Sequence, residues 1–328
     1  MPDLGLVLYH GFQSGGELAR YGRLADDFGY HSLWVTERYQ HEETFATLGY
    51  LAASTSRVRF GVAVANAYTR HPGLLAMASA TLDRVSGGRF ILCMGTSDKP
   101  VVEEKLGMPY GDARATLKQA VGIIRGLLAG ERVESKTGRF QFGPTKLAVA
   151  PIQRPLPIYV AAMGPKALRL AGAIGDGVML NSYMPTKYVR WAVNEAREGA
   201  RAAGRDPARI AIACMLTVRL TSDPASVRAS LKERIARLLA EQHTGEVLMR
   251  SCGYDPSLLP RLREAERHGK RHEAASLISD TMVDEFWVVG NADHIRERID
   301  EYRTAGVTLP LLLPRLEDYE VVAKAVRP

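Results

Sequence analysis

Short apolar runs alternate along this chain with longer stretches in which apolar residues recur every third or fourth position, the rhythm of strand followed by helix. Residues 4–8 form the first run, and Ser14-Gly15-Gly16-Glu17 is a capping-box pattern that opens a helix to about Phe28. Residues 32–35 make a second strand, ending in Thr36-Glu37-Arg38-Tyr39, and 44–54 a helix. The run 58–64 is rich in β-branched and small residues and reads as a strand buried on both faces. His71-Pro72 then opens a helix whose expected apolar face is Leu74, Leu75, Met77, Ala78, Leu82 and Val85. A turn at Ser86-Gly87-Gly88-Arg89 leads to a fourth strand, 90–94. Helix 113–129, strand 158–161, helix 165–174, strand 177–180, helix 188–203 and strand 210–220 follow. Residues 286–289 and 292–305 supply a final strand and helix.

Two stretches break the rhythm. Residues 133–150 carry Gly138, Gly143 and Pro144 and read as a hairpin and loop, while 226–278 are almost wholly helical in pattern. About eight strand–helix units are what a (β/α)8 TIM barrel requires. The expectation is one domain over 1–328, with a hairpin and loop insertion near 130–155 and a helical insertion near 226–280. An open doubly wound sheet is the alternative, but no Gly-x-Gly-x-x-Gly turn follows the first strand.

Composition narrows the function classes. With 328 residues and a mean hydropathy of -0.12 the chain can bury a large core, and no apolar run is long enough to span a bilayer. The N-terminus MPDLGLVLYH lacks the marks of a signal peptide, so a cytoplasmic protein is expected. Cys93, Cys214 and Cys252 are far apart and read as buried thiols; neither they nor the histidines His243, His268 and His272 have metal-ligand spacing, and no metal is expected. The net charge of +7 suits an anionic partner, but the basic residues are scattered along helices, which argues against a nucleic-acid surface.

Candidate chemistry gathers where strands end, because ligands of parallel α/β folds bind at the carboxyl ends of the strands. The loop after the third strand holds Asn66, Tyr68, Thr69, Arg70 and His71; the fourth ends in Thr96-Ser97-Asp98-Lys99. At Met163-Gly164-Pro165-Lys166, free N–H groups of a helix start face the end of a strand, a suitable place for a phosphate.

The segment GVAVANAYTRHP resembles the third-strand signature of the luciferase-like flavin and deazaflavin enzymes, most closely the coenzyme F420-dependent methylenetetrahydromethanopterin reductases. FGYHSLWVTERY, GTSDKPVVEEKLGMP, AAMGPKALRLAGAIGDGVMLN and DEFWVVG extend the resemblance nearly end to end. It implies a TIM barrel with a non-prolyl cis peptide at Ala63-Val64, forming a bulge behind the middle ring of the cofactor. It also implies cofactor contacts at Ala63, Val64, Asn66, Thr96, Ser97, Met163, Gly164, Pro165 and Lys166, with the phosphate at Gly164-Pro165. Glu37, Asp98 and His71 are the candidates for catalysis. Lys99, Arg70 and Lys166 are candidates for the acidic tail of F420. A homodimer acting on a small molecule is expected, without nucleic acid or membrane. Three features depart from the reductases: Glu37-Arg38 replaces their Asp-His pair, Val7 a first-strand glutamate, and Ala65 and Ala67 a Thr and Pro near the bulge. An FMN-dependent monooxygenase and a non-catalytic flavin-binding protein remain as alternatives.

Overall fold

A computed structural model describes residues 3–327, with Gln242 described by its backbone alone. Eight parallel strands close into a barrel: β1 (Gly5–Leu8), β2 (Ser32–Thr36), β3 (Arg59–Ala63), β4 (Phe90–Gly95), β5 (Ile158–Ala161), β6 (Gly177–Leu180), β7 (Ala211–Leu220) and β8 (Leu309–Leu313). Closure comes from Gly5 opposite Leu311 and from Ala211 opposite Gly177. Helices α1 (Gly15–Asp27), α2 (Thr44–Ser54), α3 (Pro72–Val85), α4 (Ala113–Leu128), α5 (Pro165–Ile174) and α6 (Thr186–Ala202) each follow a strand. The TIM-barrel expectation therefore holds.

Two apolar layers explain why the strands read as unbroken runs. Val7, Trp34, Ile91, Cys93, Tyr159, Met179, Met215 and Leu311 fill the lumen. Their neighbours Leu6, Leu33, Phe60, Leu92, Val160 and Leu216 point to the helix layer. Alternation is present, but both faces are dry. Large rings in the lumen are accommodated by glycines on adjacent strands: a Cβ on Gly61 would stand 2.6 Å from the Trp34 ring, and one on Gly177 2.7 Å from Tyr159.

The last strand differs from the expectation. Phe286 ends a helix, and Val288–Gly290 pairs with Val218 to Leu220, the part of β7 that runs beyond the barrel. The eighth strand is Leu309–Leu313, whose Pro310 disguises it, since proline within a run argues against a strand. The apolar face expected for α3 is also partly wrong. Leu74, Met77 and Val85 are exposed, whereas Leu75, Ala76, Ser79, Ala80, Leu82 and Asp83 are buried. Small residues bring this helix close to the sheet, and the Asp83 carboxylate is satisfied by the N–H groups of Ile152 and Gln153 and the Gln153 amide.

Both irregular stretches take the expected kinds of structure. Val133–Ser135 and Phe142–Thr145 form an antiparallel hairpin. After β7 the chain makes a helical excursion, α7 (Pro224–Ala240), α8 (Gln242–Cys252), α9 (Leu258–Arg267), α10 (Arg271–Ser276) and α11 (Asp280–Phe286), before α12 (Ala292–Thr304) precedes β8. No helix among the described residues is long and apolar enough to cross a membrane.

The buried Asp26 ties α1 to the start of β3, accepting from the N–H groups of Ser56, Arg57 and Val58 at 2.7, 2.8 and 2.6 Å. Burial alone would raise its pKa, but these hydrogen bonds more than offset it and hold the carboxyl below its ordinary value. The stabilisation is thus present above the unfolded-state pKa, about 4, and is lost as pH falls through the lowered folded value. Asp26→Asn is expected to cost about 2 kcal/mol in urea unfolding at pH 7, with the gap from wild type narrowing below about pH 4.

Candidate active site

The carboxyl end of the barrel carries the candidate residues, and its floor is made of small side chains. The peptide bond Ala63-Val64 is cis, where the resemblance put it. Ala63 and Val64 both join the lumen cluster, so alternation slips by one residue before Ala65–Asn66 resumes pairing with Met94 and Gly95. Gly95 makes room for this bulge: a Cβ there would lie 2.7 Å from Val64 Cγ2 and 3.6 Å from Ala161 Cβ. Val64, Gly95 and Ala161 thus form a shallow apolar floor across β3, β4 and β5.

Polar groups without internal partners border that floor. Thr96 and Ser97 are half-buried, and their hydroxyls make no hydrogen bond among the described residues. Ser97 has a left-handed φ of 55°, and its carbonyl accepts from the Tyr110 hydroxyl at 3.0 Å. The other non-glycine residues with positive φ, Gln40 and Tyr183, also lie in loops at this end, as backbone strain at functional sites commonly does. Asn66 turns its side-chain oxygen to the N–H of Tyr68, 2.7 Å away.

Glu37 follows β2 beside this floor with its side chain mostly buried. Its Oε1 accepts from Arg70 Nε at 3.2 Å, while its buried Oε2 has no partner. Burial raises its pKa above the ordinary range, opposed chiefly by the Arg70 guanidinium. Arg70 also pairs with Glu43, the N-cap of α2, and lies 4.5 Å over the Phe45 ring. Arg70, expected from the sequence to serve an acidic tail, is thus engaged by two carboxylates of its own chain. Lys99 is likewise 3.7 Å from Glu103, whereas Lys166 is exposed.

His71 caps α3, its Nδ1 accepting from the Gly73 N–H at 3.1 Å, and its ring packs edge-on to Phe140 and Phe142 of the hairpin. The cap thus engages one ring nitrogen of this candidate base, Nδ1. Asp98 is exposed one residue beyond Ser97. Its charge adds to the burial that raises the pKa of Glu241.

Helix α5 begins bare. Gly164 is its N-cap with no side-chain cap, Pro165 follows, and the first turn has no acidic residue, whereas Ser14, Glu43 and Asp112 cap earlier helices. Unpaired N–H groups at the end of β5 suit a phosphate. Met163 is fixed there by the Tyr188 hydroxyl, which donates to its carbonyl at 2.9 Å. Above the turn lies the ring of His243, 3.2 Å from where a Cβ on Gly164 would stand. The α7–α8 junction therefore returns to the rim, which no local signal in the sequence betrays.

A second polar group at the ends of β1 and β2 was not anticipated. His10 Nε2 is 2.9 Å from Thr36 Oγ1 and its Nδ1 3.5 Å from Glu42. Burial, aided by His41, pushes His10 down to about 4, so it is neutral at pH 7. His10, His41 and Glu42 are the only described residues clustered closely enough for a metal. The two imidazole rings are stacked 4.4 Å apart at 23°, however, and nearly parallel rings do not direct their lone pairs to one point.

Residues 5–309 match the luciferase-like monooxygenase family. The chain belongs to that family. It is 31% identical over 293 residues to the 5,10-methylenetetrahydromethanopterin reductase of Methanolobus tindarius, covering 89% of this chain and 88% of that one. The fold matches the coenzyme F420-dependent tetrahydromethanopterin reductase of Methanopyrus kandleri with a TM-score of 0.84 and 26% identity, over 99% and 98% of the two chains. It also matches an F420-dependent secondary alcohol dehydrogenase in complex with an F420-acetone adduct, with a TM-score of 0.79 over 100% and 99%; at 20% identity this shows the fold alone. The family resemblance read from the third strand is thus borne out.

In this luciferase-like barrel, Gly95→Ala is expected to displace Val64 and cost about 1–3 kcal/mol in thermal or urea unfolding. Gly122→Ala in α4, where a Cβ meets nothing within 4 Å, should be neutral or slightly stabilising.

Proposed function

We propose that the protein is a coenzyme F420-dependent oxidoreductase that exchanges a hydride between the deazaflavin and a small organic substrate at the carboxyl end of the barrel. The observation that carries this reading is the small-residue floor of Val64, Gly95 and Ala161, with the Ala63-Val64 bulge within it. Its polar border and the bare start of α5 fit a flat ring bearing a phosphate, and the F420-dependent reductases among its relatives support the choice of cofactor.

When bound, F420 supplies the hydride chemistry. The chain supplies position and proton control. Ala63 and Val64 would back the ring, Thr96 and Ser97 would offer hydroxyls to its polar edge, and Asn66 would line the loop beside it. The α5 turn at Met163, Gly164 and Pro165 would receive the phosphate, with Lys166 adding charge. Glu37, whose pKa burial raises, would give or take the proton that accompanies hydride transfer at its free Oε2, while Arg70 orients it. Asp98 stands at the rim beside the substrate. A cytoplasmic homodimer completes the proposal, supported by three free buried thiols and by the exposed Tyr50, Leu74, Met77 and Val85 on α2 and α3.

Titration of the purified protein with F420 and with FMN tests the cofactor. F420 is expected to bind more tightly, and tight FMN binding without measurable F420 binding would move the protein to the monooxygenases. A second measurement concerns Glu37. Glu37→Gln is expected to lower kcat by about 10²–10⁴-fold with little change in F420 affinity. Because Arg70 holds the Glu37 pKa down, Arg70→Met should move the corresponding limb of the pH–rate profile upward. An unmoved limb would remove Glu37 from proton transfer.

A further inference from the structure

A second concave site lies on the same rim, between the projecting end of β7 and the first helix of the excursion. Its cavity, about 340 Å³, is lined by Arg219 on β7, Arg315 just past β8, Trp287, and Arg234 and Arg237 one turn apart on α7. Glu233 is the one carboxylate in the lining, and it faces His272 at 3.6 Å.

These cations are unequally compensated. Arg315 is held by Glu317 at 3.0 Å and Asp318 at 2.8 Å. Arg219 has one carboxylate partner, the shared Asp318 3.8 Å away, and lies 5.5 Å over the Trp287 ring, while its buried Nη1 has no hydrogen-bond acceptor. Arg234 donates through Nε to the Tyr183 hydroxyl at 3.1 Å, and neither it nor Arg237 pairs with a carboxylate among the described residues. Trp287, only 3% exposed, has an Nε1–H that is also without an acceptor. Two buried donors are thus left unsatisfied beside two uncompensated guanidinium groups. Burial, followed by repulsion from Arg315, pushes the Arg219 pKa down, as expected for a cation lacking its anion.

We infer that this cavity is an anion subsite that binds a carboxylate or phosphate group of the substrate. The inference rests on the proposed function and names the substrate class: a small organic anion whose reacting carbon lies over the barrel floor while its charged end is held at β7. Position supports this. Thr217 is the last β7 residue paired with β8, so Arg219 stands just above the rim, across the barrel from β3 and β4. Tyr183, following β6, links the cavity to the mouth by packing on Trp287 at 5.0 Å and bonding Arg234. Guanidinium groups on two sides of a cavity suit bidentate recognition of a planar carboxylate or a phosphate.

The test is calorimetric titration of inorganic phosphate into cofactor-free and F420-saturated protein. Phosphate is expected to bind in both states, to weaken with added salt, and to bind at least about tenfold more weakly to Arg234→Gln/Arg237→Gln, the loss of about one charge-assisted hydrogen bond. Both arginines are exposed, so the variant should fold and keep its F420 affinity. Binding only in the cofactor-free state would assign the cavity to the acidic tail of the cofactor and overturn the inference. Absence of phosphate binding, or equal affinity in variant and wild type, would overturn it too. Loss of phosphate binding in the variant of a protein that binds no F420 would uphold the anion subsite and sink the proposed cofactor instead.

Discussion

The contact of Val64 with the bare Cα of Gly95 is the constraint on which the active end of this barrel depends. A Cβ on Gly95 would stand 2.7 Å from Val64 Cγ2, too close for Val64 to keep its place in the bulge of β3. The bulge in turn puts Ala63 and Val64 on the same lumen face, after which Ala65 and Asn66 pair with Met94 and Gly95. Close packing permits this because the neighbouring strand gives up a side chain at one point, while Trp34 and Tyr159 fill the lumen below.

Above that floor, charge is arranged so that one carboxylate is held and yet left partly free. Arg70 is divided between Glu37 and Glu43, which fixes α2 and the loop after β3 to the same cation. The undivided oxygen of Glu37 remains buried, and burial outweighs the attraction of Arg70 in its pKa. A group balanced in this way is suited to proton transfer. Groups around it are immobilised by ordinary means: His71 as a cap, Tyr110 on the Ser97 carbonyl, Tyr188 on the Met163 carbonyl.

The helical excursion shapes the rest of the mouth. Its α7–α8 junction brings His243 to Gly164 and Glu241 to Asp98, while the outer face of α7 lines the arginine-rich cavity with β7. One segment therefore borders both the start of α5 and the arginine-rich cavity, so its position bears on access to both.

The sequence by itself determined the strand–helix order, the family and the location of the bulge, because these rest on local patterns: dry strands, capped helices and a contiguous motif from Gly61 to Pro72. It also held the uncapped start of α5, since a Gly-Pro turn is written in adjacent residues. Only the tertiary structure decided that Leu309–Leu313, with its proline, is the closing strand, and that α3 buries Ser79 and Asp83 while leaving Leu74 and Met77 exposed. It alone decided that Arg70 belongs to Glu37 and Glu43, that His71 is a cap, and that Arg219, Arg234 and Arg315 share one cavity. The Arg70 pairs and the arginines of the cavity join residues tens to about a hundred positions apart. A side chain carries its chemistry in the sequence, but its partner is set by which strands are neighbours when the barrel closes.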